Sequence, residues 1–262
     1  WNNKSFDNSE KIFKSYSDNR FHYFCGEKHT FLYDARNYAL SKCSGELIAF
    51  LDVDDVWFSK KLEIQVPLFN DVTVGLSCGN YIKLNEGKNN NINLKAKYFS
   101  LPNGKVLNEL FESNFVHMST LMIRKKALNE LKYFFDPRFE IIGDLDILLR
   151  LSCRWNMASI QQPIANYRYH LNNTGFVKKR LIGTELKILL NEIKDYPEYK
   201  KLTNFSKFEY TVKYYELLNL LYNGKKWNIL KQINSLKNKH RFKFLIAMFL
   251  PKRIIKILID RS

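Results

Sequence analysis

"GELIAFLDVDDVWFSKKLE", residues 45–63, decides how the chain is read. A nearly unbroken apolar run over Leu47–Leu51 stops at three carboxylates, Asp52, Asp54 and Asp55. A continuous apolar run is what a strand covered on both faces requires. Side chains alternate along a strand, so Asp52 and Asp54 are expected to point the same way. At the C-terminal edge of a parallel sheet, that direction is a ligand crevice. Three acids this close repel one another unless something positive lies between them. Two hard oxygen donors suit Mg²⁺ or Mn²⁺, which takes one or two protein carboxylates and fills its shell from substrate phosphates. A solvated turn, with Asp55 capping a following helix, explains one acid more simply than it explains three.

Helix and strand signals alternate around this stretch. Residues 7–17 open a helix, "RFHYFC" (20–25) reads as a short strand, and "FLYDARNYALSKCSG" (31–45) as a helix stopped by Gly45. "SKKLEIQVPLF" (59–69) reads as a short helix capped by Ser59, and "VGLSCGNYIKL" (74–84) as a strand. "NEGKNNNINLKAK" (85–97) reads as a loop, and "VHMSTLMIRKKALNEL" (116–131) as strand then helix. "GDLDILLRLSCRW" (143–155) is a strong helix signal, and "IQQPIANYRYH" (160–170) is extended. The order predicts an α/β fold with a mixed, mainly parallel sheet flanked by helices over residues 1–176. From Phe176 onward the pattern turns helical and Lys-rich, so 177–262 is expected to be a basic helical extension.

The 262 residues carry a net charge of +16. Residues 177–262 hold 20 Lys and Arg against 7 acids, a net of +13, which leaves +3 for the rest. A domain that grips nucleic acid throughout would spread its charge; a basic tail suits an anionic surface. Cys25, Cys43, Cys78 and Cys153 are scattered without a CxxC, which argues for reduced, mostly buried cytoplasmic thiols. In "FKFLIAMFLPKRIIKILIDRS" (242–262), Ile254, Ile255, Leu258 and Ile259 recur at helical spacing after Pro251, among Lys252, Arg253, Lys256 and Arg261. That is the pattern of a helix lying in a membrane interface, or of one docked on the protein's own core. The chain opens "WNNKSFDNSEK" in mid-element without Met, which suggests a sequence incomplete at its N-terminus.

Other side chains invite chemical roles. Asp146 and Arg150 are four apart and read as a helix ion pair. Asp144 reads either as a helix cap or as a general base. Arg36 of "DARN" either grips a phosphate or pairs with Asp34. His170 of "YRYH" reads as a structural histidine, a metal ligand or a phosphate contact.

"ARNYALSKCSGELIAFLDVDDVWFSKKLEIQ", "STLMIRKKAL", "FDPRFEIIGDLDILLRL" and "YRYH" stand in an order that resembles the inverting glycosyltransferases of family 2, nucleotide-sugar enzymes with the GT-A fold. The resemblance runs to about Phe176. It implies that Asp52 and Asp54 form the DxD pair at the divalent metal (Mg²⁺ or Mn²⁺), with Asp55 beside them at the nucleotide-sugar. It implies that Asp144 is the base at the acceptor hydroxyl, that Arg36 lies near the nucleotide, and that His170 is a diphosphate or metal contact. Three departures stand out. Asn2 and Asn3 replace the first acids of a segment similar to "DDGSTDNS"; Gly143 stands where the family often has Glu; and the first strand and helix of the nucleotide-binding half are missing.

The activity implied is inverting transfer from a nucleotide-sugar, a UDP-sugar on family grounds, to a hydroxyl of a glycan or lipid-linked acceptor. The Lys, Asn, Ile and Phe abundance hints at an AT-rich bacterial genome and so at surface polysaccharide or lipooligosaccharide synthesis. The expected place is cytoplasmic, peripheral on the inner face of the plasma membrane. Two competing readings are a basic nucleic-acid-binding module and a DxD phosphohydrolase, though the Thr typical of the haloacid-dehalogenase-like pattern is absent.

Overall fold

Strands β1 (Leu47–Ala49), β2 (Val56–Trp57), β3 (Val74–Glu86), β4 (Ile92–Ala96), β5 (Met122–Arg124) and β6 (Asn156–Tyr169) form a sheet in the order β1-β5-β3-β6-β2, with β4 on β3. The computed structural model describes residues 1–86, 92–96, 100–170, 173 and 178–251. Within the sheet, β1–β5, β3–β5 and β2–β6 pair antiparallel, and Asn2 and Cys25 form an isolated parallel bridge outside the named strands. Antiparallel pairing thus carries more of the sheet than the alternation of helices and strands suggests.

The helices are α1 (Ser9–Lys14), α2 (Leu32–Ser41), α3 (Lys61–Gln65), α4 (Leu107–Glu112), α5 (Lys125–Asn129), α6 (Gly143–Ser152), α7 (Ile182–Ile193), α8 (Pro197–Lys200), α9 (Phe205–Tyr222), α10 (Lys226–Leu230) and α11 (Asn238–Phe249). They divide with the sheet into two compact units. One comprises Trp1–Lys83, Leu94–Gly104 and Val116–Tyr167; the other comprises Leu84–Asn93, Lys105–Phe115 and Arg168–Ser262. The second unit thus draws on short segments before residue 116 as well as on the chain from Arg168 onward.

In the first unit, Leu76, Leu121, Ile123, Phe135, Phe139, Ile147 and Leu148 are fully buried. Helix α6 is buried along most of its length, as its run of Leu and Ile demands. In the second unit, Phe111 of α4 packs against Tyr199, Phe205 and Phe208 at centroid distances of 5.5, 5.3 and 5.2 Å. A further core joins Leu217, Leu221, Ile229, Ile233, Leu236, Phe244 and Met248.

Several local expectations need correction. The run 46–53 is not one doubly covered strand: β1 spans three residues, Leu51 is 47% exposed and Val53 is fully exposed. The β1–β5 pairing ends at Ala49–Met122; one more backbone bond follows, from the Phe50 N–H to the Leu121 carbonyl at 3.3 Å, and the next N–H on that side, of Asp52, goes to the Ser119 hydroxyl. "RFHYFC" contributes only the Cys25 bridge, and of the four thiols expected to be mostly buried, Cys78 is buried while Cys25 and Cys153 are exposed. Ser59 does not cap α3, whose N-cap position is Lys60 and carries no side-chain bond. The loop read over 85–97 contains β4, whose Ile-Asn-Leu-Lys-Ala alternation is a strand pattern. The amphipathic segment read after Pro251 lies outside the described residues.

Candidate active site

Beyond β1 the chain turns. The Asp55 N–H donates to the Asp52 carbonyl at 3.0 Å, so the DxD pair sits on a turn rather than on a strand. Ser119 holds this turn from the adjoining segment before β5. Its hydroxyl accepts the Asp52 N–H at 3.1 Å and donates to Asp55 Oδ2 at 2.5 Å. The Asp55 side chain is almost wholly buried, so its work is to brace the turn. Asp52 and Asp54 remain half-exposed.

Arg36 reaches the same turn from α2. Its Nη2 donates to Asp52 Oδ1 at 2.8 Å, and its guanidinium lies 5.6 Å from the Tyr33 ring centroid and 5.8 Å from that of Phe135. In place of a surface pair with Asp34, the largely buried Arg36 side chain pairs with the half-exposed Asp52. The neighbouring Asn37 fixes the platform. Its amide donates to the Phe135 carbonyl at 2.8 Å and its oxygen accepts the Phe135 N–H at 2.9 Å.

Asp144 lies in the first turn of α6, where Oδ1 accepts the Leu145 N–H at 2.9 Å. Burial raises its pKa above the usual carboxylate value. The Arg36 charge and the backbone N–H bonds oppose that rise, and the Asp52 charge adds to it. Tyr33 links these groups: its hydroxyl accepts the Asp144 N–H at 3.2 Å, and its ring centroid lies 5.6 Å from the Arg36 guanidinium that pairs with Asp52. Asp146 instead pairs with Arg150, Nη2 to Oδ2 2.6 Å, as a structural contact.

His117 is the member sequence reasoning missed. Its ring lies between Tyr81 and Tyr167, at centroid distances of 4.8 and 4.3 Å, and its Nδ1 is 3.7 Å from Asp55 Oδ2. That buried Nδ1 makes no hydrogen bond. Burial lowers the imidazole pKa, and the charges of Asp55, Asp52 and Asp54 oppose that shift. A signal was present: "VHMST" sits just ahead of β5, next to β1, as the acids sit just after β1. His170 belongs to the second unit, where its N–H donates to Asn173 Oδ1 at 2.6 Å.

The family model for glycosyl transferase family 2 matches residues 1–132, half of the chain. The chain belongs to glycosyltransferase family 2. Among curated relatives of this family 2 chain, the Escherichia coli UDP-Glc:alpha-D-GlcNAc-diphosphoundecaprenol beta-1,3-glucosyltransferase WfgD is 32% identical over 50% of the chain and 49% of WfgD. An uncharacterized glycosyltransferase of Rickettsia bellii is 28% identical over 65% of the chain and 24% of that protein. The match thus spans about half the length of one relative and about a quarter of the other. Crystal structures of S. aureus TarS share the fold. The complex with UDP-GlcNAc aligns over 96% of this chain and 72% of TarS, with TM-score 0.56 and 17% identity. A second TarS structure aligns over 99% and 78%, with TM-score 0.53 and 13% identity. The α/β architecture is that of GT-A enzymes.

A divalent cation can be tested against the donors present. Among the described residues, no group of three or more His, Cys, Asp or Glu is arranged to hold a metal by itself. Asp52 gives one oxygen to Arg36 while its side chain stays 41% exposed, and Asp54 is half-exposed on the same turn. Two hard carboxylates open to solvent fit an ion that draws most of its shell from water and phosphate, as Mg²⁺ does.

Proposed function

We propose that this chain transfers a sugar from a UDP-sugar to a hydroxyl of a lipid-linked or glycan acceptor, with inversion at the anomeric carbon. The observation that carries the reading is the juxtaposition of a pKa-raised carboxylate, Asp144, with the Arg36–Asp52 pair in a family 2 chain. A UDP-sugar is favoured because WfgD is named for UDP-Glc and TarS was solved with UDP-GlcNAc. A lipid-linked acceptor is favoured because WfgD is named for a diphosphoundecaprenol acceptor.

In this mechanism Asp144 accepts the proton of the acceptor hydroxyl. The freed oxygen attacks the anomeric carbon, and the bond from that carbon to the diphosphate oxygen breaks. UDP leaves with the electron pair, and the single displacement inverts the centre. Arg36 stabilises the charge that develops on the diphosphate. Asp52 and Asp54 would hold Mg²⁺ or Mn²⁺, which supplies Lewis-acid stabilisation to the leaving group. Asp55 and Ser119 keep the turn in shape, and His170 is assigned a diphosphate contact on the resemblance alone. Surface polysaccharide or lipooligosaccharide synthesis, at the inner face of a bacterial plasma membrane, is the setting that suits such an acceptor.

The test is calorimetric binding of UDP with and without Mn²⁺ to the wild-type chain and to Asp54→Ala, followed by sugar transfer to a polyprenyl-diphosphate acceptor. Mn²⁺-dependent binding that disappears in Asp54→Ala supports the reading. Equal, metal-independent binding by both proteins removes the role of the DxD pair.

A further inference from the structure

Helix α11 is apolar on two sides, and packing explains only one. Phe244 and Met248 are buried in the second unit's core. The start of the helix is pinned by His240, whose Nδ1 lies 2.6 Å from the Tyr210 hydroxyl and whose ring meets Tyr214 at 4.8 Å. On the opposite side Phe242, Leu245, Ile246 and Phe249 are 66, 36, 49 and 87% exposed. Their spacing of three, four and seven places them on one face of the helix. Lys239 and Lys243, also exposed, lie beside that stripe. A helix bordering water normally turns polar residues outward, so a contiguous apolar stripe marks a surface that meets another medium.

The charge identifies the medium. Between Glu216 and Asp260 the sequence has ten Lys and Arg and no acid. Two copies of so basic a face repel each other, which argues against self-association. An anionic bilayer attracts the lysines and accepts the apolar side chains below its headgroups. With 12 residues, α11 is too short to cross, and no helix among the described residues is long and apolar enough to do so.

We propose that the Phe242–Leu245–Ile246–Phe249 face of α11, with Lys239 and Lys243, is a docking surface for an anionic lipid bilayer, on which the helix lies in the plane of the interface. The proposal extends the peripheral placement given above to named residues. It is tested without donor or acceptor, so its failure leaves the transferase reading standing.

The experiment is co-sedimentation of the whole chain with phosphatidylcholine vesicles, with and without phosphatidylglycerol. Binding is expected only to the anionic vesicles, and salt should weaken it. The double variant Phe242→Ser/Phe249→Ser should bind about tenfold more weakly or worse. Lys239→Glu/Lys243→Glu should bind about 25-fold more weakly, about fivefold per lysine removed. All four positions are exposed, so circular dichroism should match the wild type. Failure of the wild-type chain to bind anionic vesicles, or wild-type affinity in both variants, overturns the proposal. So does a dimer, or duplex-DNA binding, that depends on the same residues while vesicles are ignored.

Discussion

The Tyr33 ring lies against Gly143 so closely that a Cβ built on Gly143 would stand 2.6 Å from a Tyr33 ring carbon. The hydroxyl of the same tyrosine donates to the Ile141 carbonyl at 2.9 Å and accepts the Asp144 N–H at 3.2 Å. One side chain therefore sets the entry into α6 and the backbone of the proposed base. It also explains the glycine. The glutamate that the family pattern often has at this position would meet the Tyr33 ring. Gly143→Ala should destabilise the protein by about 1–3 kcal/mol through overpacking. Tyr33→Phe should cost about 1 kcal/mol through the lost hydrogen bonds. The cost of Gly143→Ala should shrink when Tyr33→Ala removes the ring, and urea unfolding of the double-mutant cycle measures that coupling.

The raised pKa of Asp144 has a kinetic consequence. A general base works only when ionised, so the acid limb of kcat/KM should lie above the ordinary carboxylate value of 3.8. Arg36 opposes the rise, so Arg36→Gln should move that limb to higher pH as well as slow the reaction by about 10²-fold. An acid limb that stays in place in Arg36→Gln would dissociate Arg36 from the base. Asp144→Asn adds a stability readout. A raised folded pKa means that the carboxylate resists ionisation more in the folded chain than in the unfolded one. The penalty is absent below 3.8 and complete above the folded pKa, so the variant should be the more stable protein at pH 7 and not in acid.

The α/β class, α2, α6, β3 and β5 were legible because each is a long or sharply patterned run. The three acids, Arg36 and Asp144 were legible as an ordered motif. What was not legible depends on tertiary contact. No pattern in "LIAFLDVDD" says that the strand stops at Ala49; the change shows only in tertiary contacts, where the Phe50 N–H still meets the Leu121 carbonyl and the Asp52 N–H goes to the Ser119 hydroxyl instead. Strand direction was hidden too, since Met122–Arg124 looks the same whichever way it runs. The place of Tyr33 over Gly143 joins residues 110 positions apart. His117 meets Tyr81, Tyr167 and Asp55 only in the folded chain, from positions 36, 50 and 62 residues away.

His117 should make the fold acid-sensitive. Burial lowers its folded pKa below the ordinary 6.5, so both states are neutral above that value. As pH falls below 6.5, the unfolded chain gains a proton that the folded one resists, and stability declines until the folded ring also titrates. His117→Phe keeps an aromatic ring between Tyr81 and Tyr167 and removes the titration. Urea midpoints at pH 7 and pH 5 should fall further for the wild type than for this variant. A parallel fall in both would place the acid-sensitive group elsewhere.

Lys61 is a buried ammonium whose described contacts are neutral. It is 1% exposed, its Nζ donates to Gln65 Oε1 at 2.6 Å, and it lies 4.3 Å from the Trp57 ring centroid. Burial lowers its pKa from 10.5 to about 8. The unfolded chain therefore holds this proton more tightly than the folded chain. The penalty on folding is complete below pH 8 and fades as pH rises from 8 to 10.5. At pH 7 a shift of this size corresponds to about 3 kcal/mol. Lys61→Met keeps the volume and removes the charge. It forfeits the Gln65 bond and the Trp57 contact, about 1 kcal/mol each, so a net gain of about 1 kcal/mol is expected at pH 7. The advantage over wild type should vanish near pH 9 and reverse by pH 10, as the folded wild-type ammonium loses its proton. The opposite result is equally informative. Gln65 also donates to the Thr120 carbonyl at 2.9 Å and to Ser77, and Trp57 Nε1 donates to the Ser119 carbonyl at 2.7 Å. A variant less stable than wild type at pH 7 would mean that the ammonium holds Gln65 and Trp57 in place beneath the segment that supports the Asp52 turn.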